Sequence, residues 1–101
     1  MAEKLSDDDR KAILASIDGW AETDGGKKIV KTFEFDGFDS AWGFMTRAAI
    51  KAQSMDHHPE WSNVYSTVEV ALTTHDVGGV SELDIELAKY MDAAATSTGV
   101  K

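Results

Sequence analysis

The chain has 101 residues, 43% of them hydrophobic and 28% charged, which predicts one small globular domain over residues 1–101. Its 18 acidic and 10 basic residues give a net charge of -8 that would repel DNA or an anionic membrane, so we expect neither as a partner. The absence of cysteine excludes disulfides and thiol nucleophiles, and the acidic, polar N-terminus and lack of a long apolar run predict a cytoplasmic protein.

The first predicted element is a helix that begins after Ser6, a residue type that caps helix N-termini. Three aspartates follow Ser6, and their charges are favourable at the start of a helix. The predicted apolar face of this helix consists of Ile13, Leu14 and Ile17.

A β-hairpin is predicted next. A short strand starts at Trp20, and Asp24-Gly25-Gly26 has the composition of a turn. Apolar and polar residues then alternate from Ile29 to Phe35, as expected for a strand with one buried face.

A long helix is predicted from Asp39 or Ser40 to about Met55. Trp20 and Trp42 are both predicted to lie in the core. The predicted sheet-facing side of the long helix consists of Phe38, Trp42, Met45, Ala49 and Ala52.

The second half predicts another hairpin and a last helix. The strand-like run from Trp61 to Thr74 has a possible turn at Ser66-Thr67, and its predicted buried face is Val64, Val68, Val70 and Leu72. Ser81 is the predicted N-cap of the last helix, with Val80 and Ile85 as a hydrophobic staple, and residues 96–101 are predicted to fray. The order α-β-β-α-β-β-α favours an antiparallel sheet with helices packed against it, an α+β fold.

All three histidines fall within nineteen positions: His57, His58 and His75. Histidine exchanges protons near neutral pH, so the cluster invites an acid–base interpretation. Antiparallel pairing could return the end of the last strand, with His75, to the start of the preceding strand, beside His57 and His58.

The same residues also allow a plainer interpretation, in which each histidine is a surface or packing residue. Pro59 disfavours helical geometry at His58, so the rings of His57 and His58 should diverge. That arrangement is poor for chelation and no cysteine is available, so we predict no metal site. Residue types and spacing leave the choice between catalysis and packing open.

A longer pattern surrounds the histidines, and it resembles the signature of the pterin-4a-carbinolamine dehydratases. The matching residues are Asp56-His57-His58-Pro59-Glu60-Trp61, Asn63-Val64-Tyr65, Val68, Val70, Leu72, Thr74-His75-Asp76, Gly79, Ser81 and Asp84. Gly19-Trp20, Phe33, Phe35, Phe38, Ala41 and the block 43–47 also match, so the resemblance covers nearly the whole chain.

The resemblance implies a four-stranded antiparallel sheet with three helices. It also implies removal of water from 4a-hydroxytetrahydropterin to give quinonoid dihydropterin, without a metal or organic cofactor. By resemblance His57, His58 and His75 are catalytic, with His57 and His75 as acid–base residues and His58 also orienting the pterin. The implied substrate-binding positions are Asp56, His58, Thr73, Thr74 and Asp76.

Three further positions are predicted to support the site. Gln53 stands where the family usually has glutamate, one helical turn before His57, and we hypothesise that His57 is therefore a weaker proton acceptor, unless Asp56 compensates. Asp84 matches a family position near the active site, but its spacing from Ser81 favours a capping box. Trp61 either lines the pocket or packs beneath the loop.

The predicted function is a dehydratase that supports pterin recycling beside an aromatic amino acid hydroxylase. The alternative, also known in the family, is a non-catalytic scaffold that acts as dimerisation partner of a transcription factor. Retention of all three histidines favours the enzyme. The family forms dimers or tetramers, and exposed edge strands are compatible with a homodimer or homotetramer.

Overall fold

The computed structural model describes residues 2–101. It confirms the α+β fold, with three helices, a four-stranded antiparallel sheet and the predicted order of elements. The elements are α1 (Asp7–Leu14), β1 (Ala21–Thr23), β2 (Lys28–Glu34), α2 (Phe38–Met55), β3 (Glu60–Val64), β4 (Thr67–Leu72) and α3 (Glu82–Ser97). Short 3₁₀ turns cover Asp24–Gly26 and His75–Val77.

The sheet has the strand order β1-β2-β4-β3. Strands β3 and β4 form a tight hairpin in which Val64 pairs with Thr67 and Glu60 pairs with Ala71. The turn falls at Tyr65 and Ser66, one position before the predicted turn, and Tyr65 adopts a positive φ of 51°. Because of this register, the beginning of β3 lies beside the end of β4 and positions the residues that follow β4.

The core lies between the sheet and the helices. Alternation along β2 buries Ile29 and Phe33, and β4 buries Val68 and Leu72 on the same face, as predicted from the sequence. Trp20 is also buried, as predicted. From the helices this face receives the buried side chains of Ala41, Phe44, Ala48, Ala52, Leu87, Ala88 and Met91.

The predicted apolar face of α2 is correct at Ala52 but wrong in register at Phe38, Trp42 and Ala49. Trp42 is 56% exposed and Phe38 is 49% exposed, whereas the buried face is Ala41, Phe44, Ala48 and Ala52. Small alanines allow α2 to approach α3 and the sheet closely. The sequence of α2 alone does not show how close its neighbours come, so it does not show which face must carry the small residues.

Two further predictions about packing are wrong. Val64 is 77% exposed because its pairing with Thr67 turns it to the open face of the sheet. Residues 98–101 do not fray from the fold. Val100 forms a β-bridge with Phe35, and the Lys101 N–H donates to the Glu34 carbonyl at 2.8 Å, so the end of the chain is tied to the end of β2.

Candidate active site

One cavity of about 480 Å³ brings all three histidines together. It lies where the end of α2, the end of β4 and the start of α3 meet. Its lining consists of Ala2, Asp56, His57, His58, Thr73, Thr74, His75, Asp76, Val77 and Leu83. Every predicted catalytic and substrate-binding residue therefore borders the same cavity.

The end of α2 fixes the backbone of His57. Asp56 follows the helix in the left-handed conformation, with φ 52°, and its N–H donates to the carbonyl of Gln53. The N–H of His57 donates to the carbonyl of Ala52 at 3.0 Å. These two bonds form a Schellman motif, a common way to end a helix. The motif turns His57 inward, where it is 8% exposed, while His58 remains exposed.

The ring of His57 is paired with a buried carboxylate. Its Nε2 lies 2.6 Å from Oδ1 of Asp84, a residue with no exposed surface. The other oxygen of Asp84 accepts hydrogen bonds from the Ser81 N–H at 2.9 Å and from the Thr74 hydroxyl at 2.8 Å. Asp84 therefore caps α3, as the local sequence favoured, and also contacts His57, a residue that lines the cavity.

The ring of His75 is paired with an exposed carboxylate. His75 begins the 3₁₀ turn after β4, and its Nε2 lies 2.9 Å from Oε2 of Glu60, the first residue of β3. The second oxygen of Glu60 accepts a hydrogen bond from Nζ of Lys28 at 2.8 Å. Hydrogen bonds from Lys28 and, secondarily, from His75 hold the pKa of the Glu60 carboxyl below its ordinary value.

Sequence reasoning gave Glu60 no role in the site. A signal was present, because Glu60 lies within the motif around His57 and His58. Its pairing with His75, fifteen residues away, becomes visible with the register of β3 and β4.

Gln53 contacts a different histidine from the one predicted. Its Oε1 lies 3.0 Å from Nε2 of His58. The predicted contact with His57 assumed that the helix continues to that residue, but α2 ends at Met55 and the left-handed Asp56 redirects the chain. The proposed effect of Gln53 on His57 therefore has no direct contact to support it.

Trp61 does not line the histidine cavity. It is half-buried, packs against the core and borders a separate apolar hollow beside α2. Thr73 and Thr74 do line the cavity, but their hydroxyls donate to the Lys27 carbonyl and to Asp84, respectively. These hydroxyls are therefore already engaged within the protein.

Among residues 2–101, no group of three or more histidine, aspartate or glutamate side chains is arranged to hold a metal ion. In the same part of the chain, no helix combines the length and apolar character needed to cross a membrane.

The arrangement is suited to proton transfer at neutral pH. Two imidazoles each direct Nε2 at a carboxylate, which accepts hydrogen bonds and does not donate them when ionised. Each ring then carries its proton on Nε2 when neutral and keeps Nδ1 free to accept another. A ring nitrogen that is free in this way can accept a proton from a ligand and later return it, as a general acid–base residue does.

Fold and cavity together define a small α+β protein with a histidine-lined cavity. The family model for pterin 4 alpha carbinolamine dehydratase matches residues 3–94, and the chain belongs to that family.

Relatives match over almost the full length of the chain. A Bradyrhizobium diazoefficiens protein named "Putative pterin-4-alpha-carbinolamine dehydratase" is 58% identical over 98 residues, 97% of this chain and 98% of the relative. The structure of a transcriptional coactivator/pterin dehydratase from Brucella melitensis is 44% identical, with a TM-score of 0.89, and the match covers 92% of this chain and 99% of that one. A pterin dehydratase-like protein described as a RuBisCO assembly factor in the alpha-carboxysome is 22% identical with a TM-score of 0.66, covering 76% of this chain and 89% of that one, which shows the shared fold alone.

Proposed function

We propose that the protein removes water from 4a-hydroxytetrahydropterin to give quinonoid dihydropterin. The observation that carries the proposal is the convergence of His57, His58 and His75 on one cavity, two of them with carboxylate partners. Membership of the family supports the choice of substrate class. In the cell, the reaction would serve pterin recycling beside an aromatic amino acid hydroxylase, in the cytoplasm.

The chemistry of the reaction matches these side chains. The hydroxyl on C4a leaves readily only after it is protonated, and a proton must also be lost from the pterin ring. In the proposal His57 and His75 perform these two transfers and His58 holds the pterin. Asp56, Thr73, Thr74 and Asp76 border the space that the ring would occupy. No metal or organic cofactor enters the proposed mechanism.

Rates of dehydration with freshly generated 4a-hydroxytetrahydropterin test the proposal. We expect His57→Ala and His75→Ala each to lower kcat by roughly 10²- to 10⁴-fold, the usual contribution of a general acid or base to the rate. Lys89→Ala is the control, because, like His75→Ala, it replaces an exposed polar side chain with alanine, but it lies on α3 outside the cavity. A wild-type protein without dehydratase activity would contradict the proposal.

A binding scaffold is the second candidate, favoured by the description of the Brucella relative as a transcriptional coactivator as well as a dehydratase. The same assay separates the two functions. A scaffold has no chemical need for the histidines, so equal turnover in wild type and both histidine variants would favour it.

We also propose a homodimer or homotetramer. Edge strand β3 and the exposed apolar side chains Phe38, Trp42 and Ile50 on α2 supply surfaces that a second copy could cover. Sedimentation equilibrium tests this proposal, and a monomer at micromolar concentration would contradict it.

A further inference from the structure

We propose that Glu60 is the positioning residue of His75: its carboxylate accepts the Nε2–H of the ring and leaves Nδ1 free for acid–base chemistry in the cavity. This inference rests on the proposed dehydratase function and assigns a role to a residue outside the predicted site. It also specifies which nitrogen of His75 exchanges the proton.

His75 has an exposed ring. Its side chain is 79% exposed, so packing does little to restrain the two torsions of the ring. Within residues 2–101, its side-chain hydrogen-bond partner is Glu60, at 2.9 Å. Without that bond, the ring would occupy several orientations, and few of them would direct a nitrogen at a bound ligand.

Strand pairing and Lys28 hold Glu60 beside His75. Pairing with Ala71 places Glu60 beside the end of β4. The 3₁₀ turn that begins with His75 follows β4 after two residues, so Glu60 lies near His75. Lys28, on β2, holds the other carboxylate oxygen at 2.8 Å. The carboxylate is thus anchored from the far side by a cation and directs one oxygen at the ring.

Glu60 also acts on His75 through its negative charge. The lowered pKa of the Glu60 carboxyl keeps it ionised at neutral pH, so it acts as an acceptor and does not compete for the catalytic proton. The neutral ring of His75 is then held as the Nε2–H tautomer. His57 uses the same nitrogen toward Asp84, so both pairs keep Nδ1 free.

Other charged groups also face His75. Asp24 and Lys27 border a hollow on one side of the ring together with Lys28, while Asp56, Asp76, His57 and His58 lie around the cavity on the other. Glu60 and Lys28 differ from these groups because they form one hydrogen-bonded chain with the ring. Changing either of them should therefore shift the protonation of His75, and the two shifts should be opposite.

The experiment compares pH–rate profiles of the full-length protein and four variants. In Glu60→Gln an amide replaces the charge, so we expect kcat to fall on the order of 10-fold with little change in KM, and the limb that belongs to His75 to move to lower pH. In Lys28→Met the cation is lost but Glu60 remains, so the same limb should move to higher pH. Glu60→Asp retains the charge and should recover part of the lost rate.

Glu69→Gln is the matched control, because it makes the same substitution at an exposed glutamate on the same sheet, in β4. We expect its profile to equal that of wild type. A residue with a merely structural role would leave the limb at the same pH in every variant.

A nitrogen-15 spectrum of His75 in the wild-type protein supplies a measurement that does not depend on activity. The inference predicts the Nε2–H tautomer, and a dominant Nδ1–H tautomer would overturn it. An active wild type with an unchanged Glu60→Gln profile would also overturn it, while leaving the dehydratase proposal intact. An inactive wild type that shows the Nε2–H tautomer would instead contradict the proposed function and, with it, the positioning role of Glu60 in the reaction.

Discussion

The two histidine–carboxylate pairs of the cavity contain the same chemical groups in opposite surroundings. His57 and Asp84 are buried, and Asp84 also holds the first turn of α3. His75 and Glu60 are exposed to water, and Glu60 also forms an ion pair with Lys28. Charge in the interior must be fully paired, whereas exposed ion pairs contribute little to stability. The pair of His57 and Asp84 is therefore part of the fold, whereas the pair of His75 and Glu60 can be altered with little effect on the stability of the fold.

The largest expected effect comes from removing the buried carboxylate. Asp84→Ala deletes the partner of His57, the acceptor for Thr74 and half of the capping box of α3. We expect the free energy of unfolding to fall by about 3 kcal/mol, the lower end of the cost of breaking a buried pair. Urea unfolding at pH 7 measures this change.

Glu60→Ala is the comparison variant for that experiment. It removes the carboxylate of the exposed pair, and we expect unfolding close to that of wild type. Equal losses in Asp84→Ala and Glu60→Ala would contradict the division between a structural and a separable pair.

A smaller effect is expected when the third histidine also receives a carboxylate. Gln53→Glu places a negative charge against His58, 3.0 Å from Nε2. We expect the ring of the variant's His58 to hold its proton slightly more strongly than the wild-type ring does, because an exposed carboxylate modestly favours imidazolium. Proton NMR titration of the ring signals measures this, and a shift confined to His57 would restore the contact predicted from spacing.

The smallest expected effect is the contribution of Glu60 to stability as a function of pH. Its folded-state pKa is lowered from 4.5, so its stabilising contribution is complete above that value and is lost as pH falls through the lower folded pKa. Urea midpoints of wild type and Glu60→Gln should differ slightly at pH 6 and converge as the pH falls below the folded-state pKa of Glu60.

High salt provides a control for the same pair. Because the contacts among Lys28, Glu60 and His75 are exposed, added salt should screen them and reduce the difference at pH 6. A difference at pH 6 that high salt does not reduce would mean that Glu60→Gln acts through packing instead of charge.

Most of the fold could be predicted because its signals are local. Alternation in β2 and β4, the N-cap at Ser6 and the capping box at Ser81 each depend on neighbouring residues, and each is present in the structure. The face of α2 could not be predicted in the same way. Burial there depends on how closely a second helix approaches, which favours alanine over tryptophan at the contact.

The residues that border the cavity were predicted from the histidine cluster and the family resemblance, but the hydrogen-bond partners of the histidines were not. Asp84 lies 27 residues from His57, and either of its two proposed roles explained its position in the sequence. Gln53 was given the wrong partner because helical spacing does not extend past the end of the helix. These contacts depend on tertiary geometry that no local pattern specifies.

The two ends of the chain offer unequal places for attachment. Ala2 borders the histidine cavity, so a polyhistidine tag fused before it would emerge beside the rings whose titration is to be followed. Lys101 instead lies next to Glu34, at the opposite end of β2 from Lys28. A tag that follows Lys101 after a flexible spacer should keep foreign imidazoles away from the cavity.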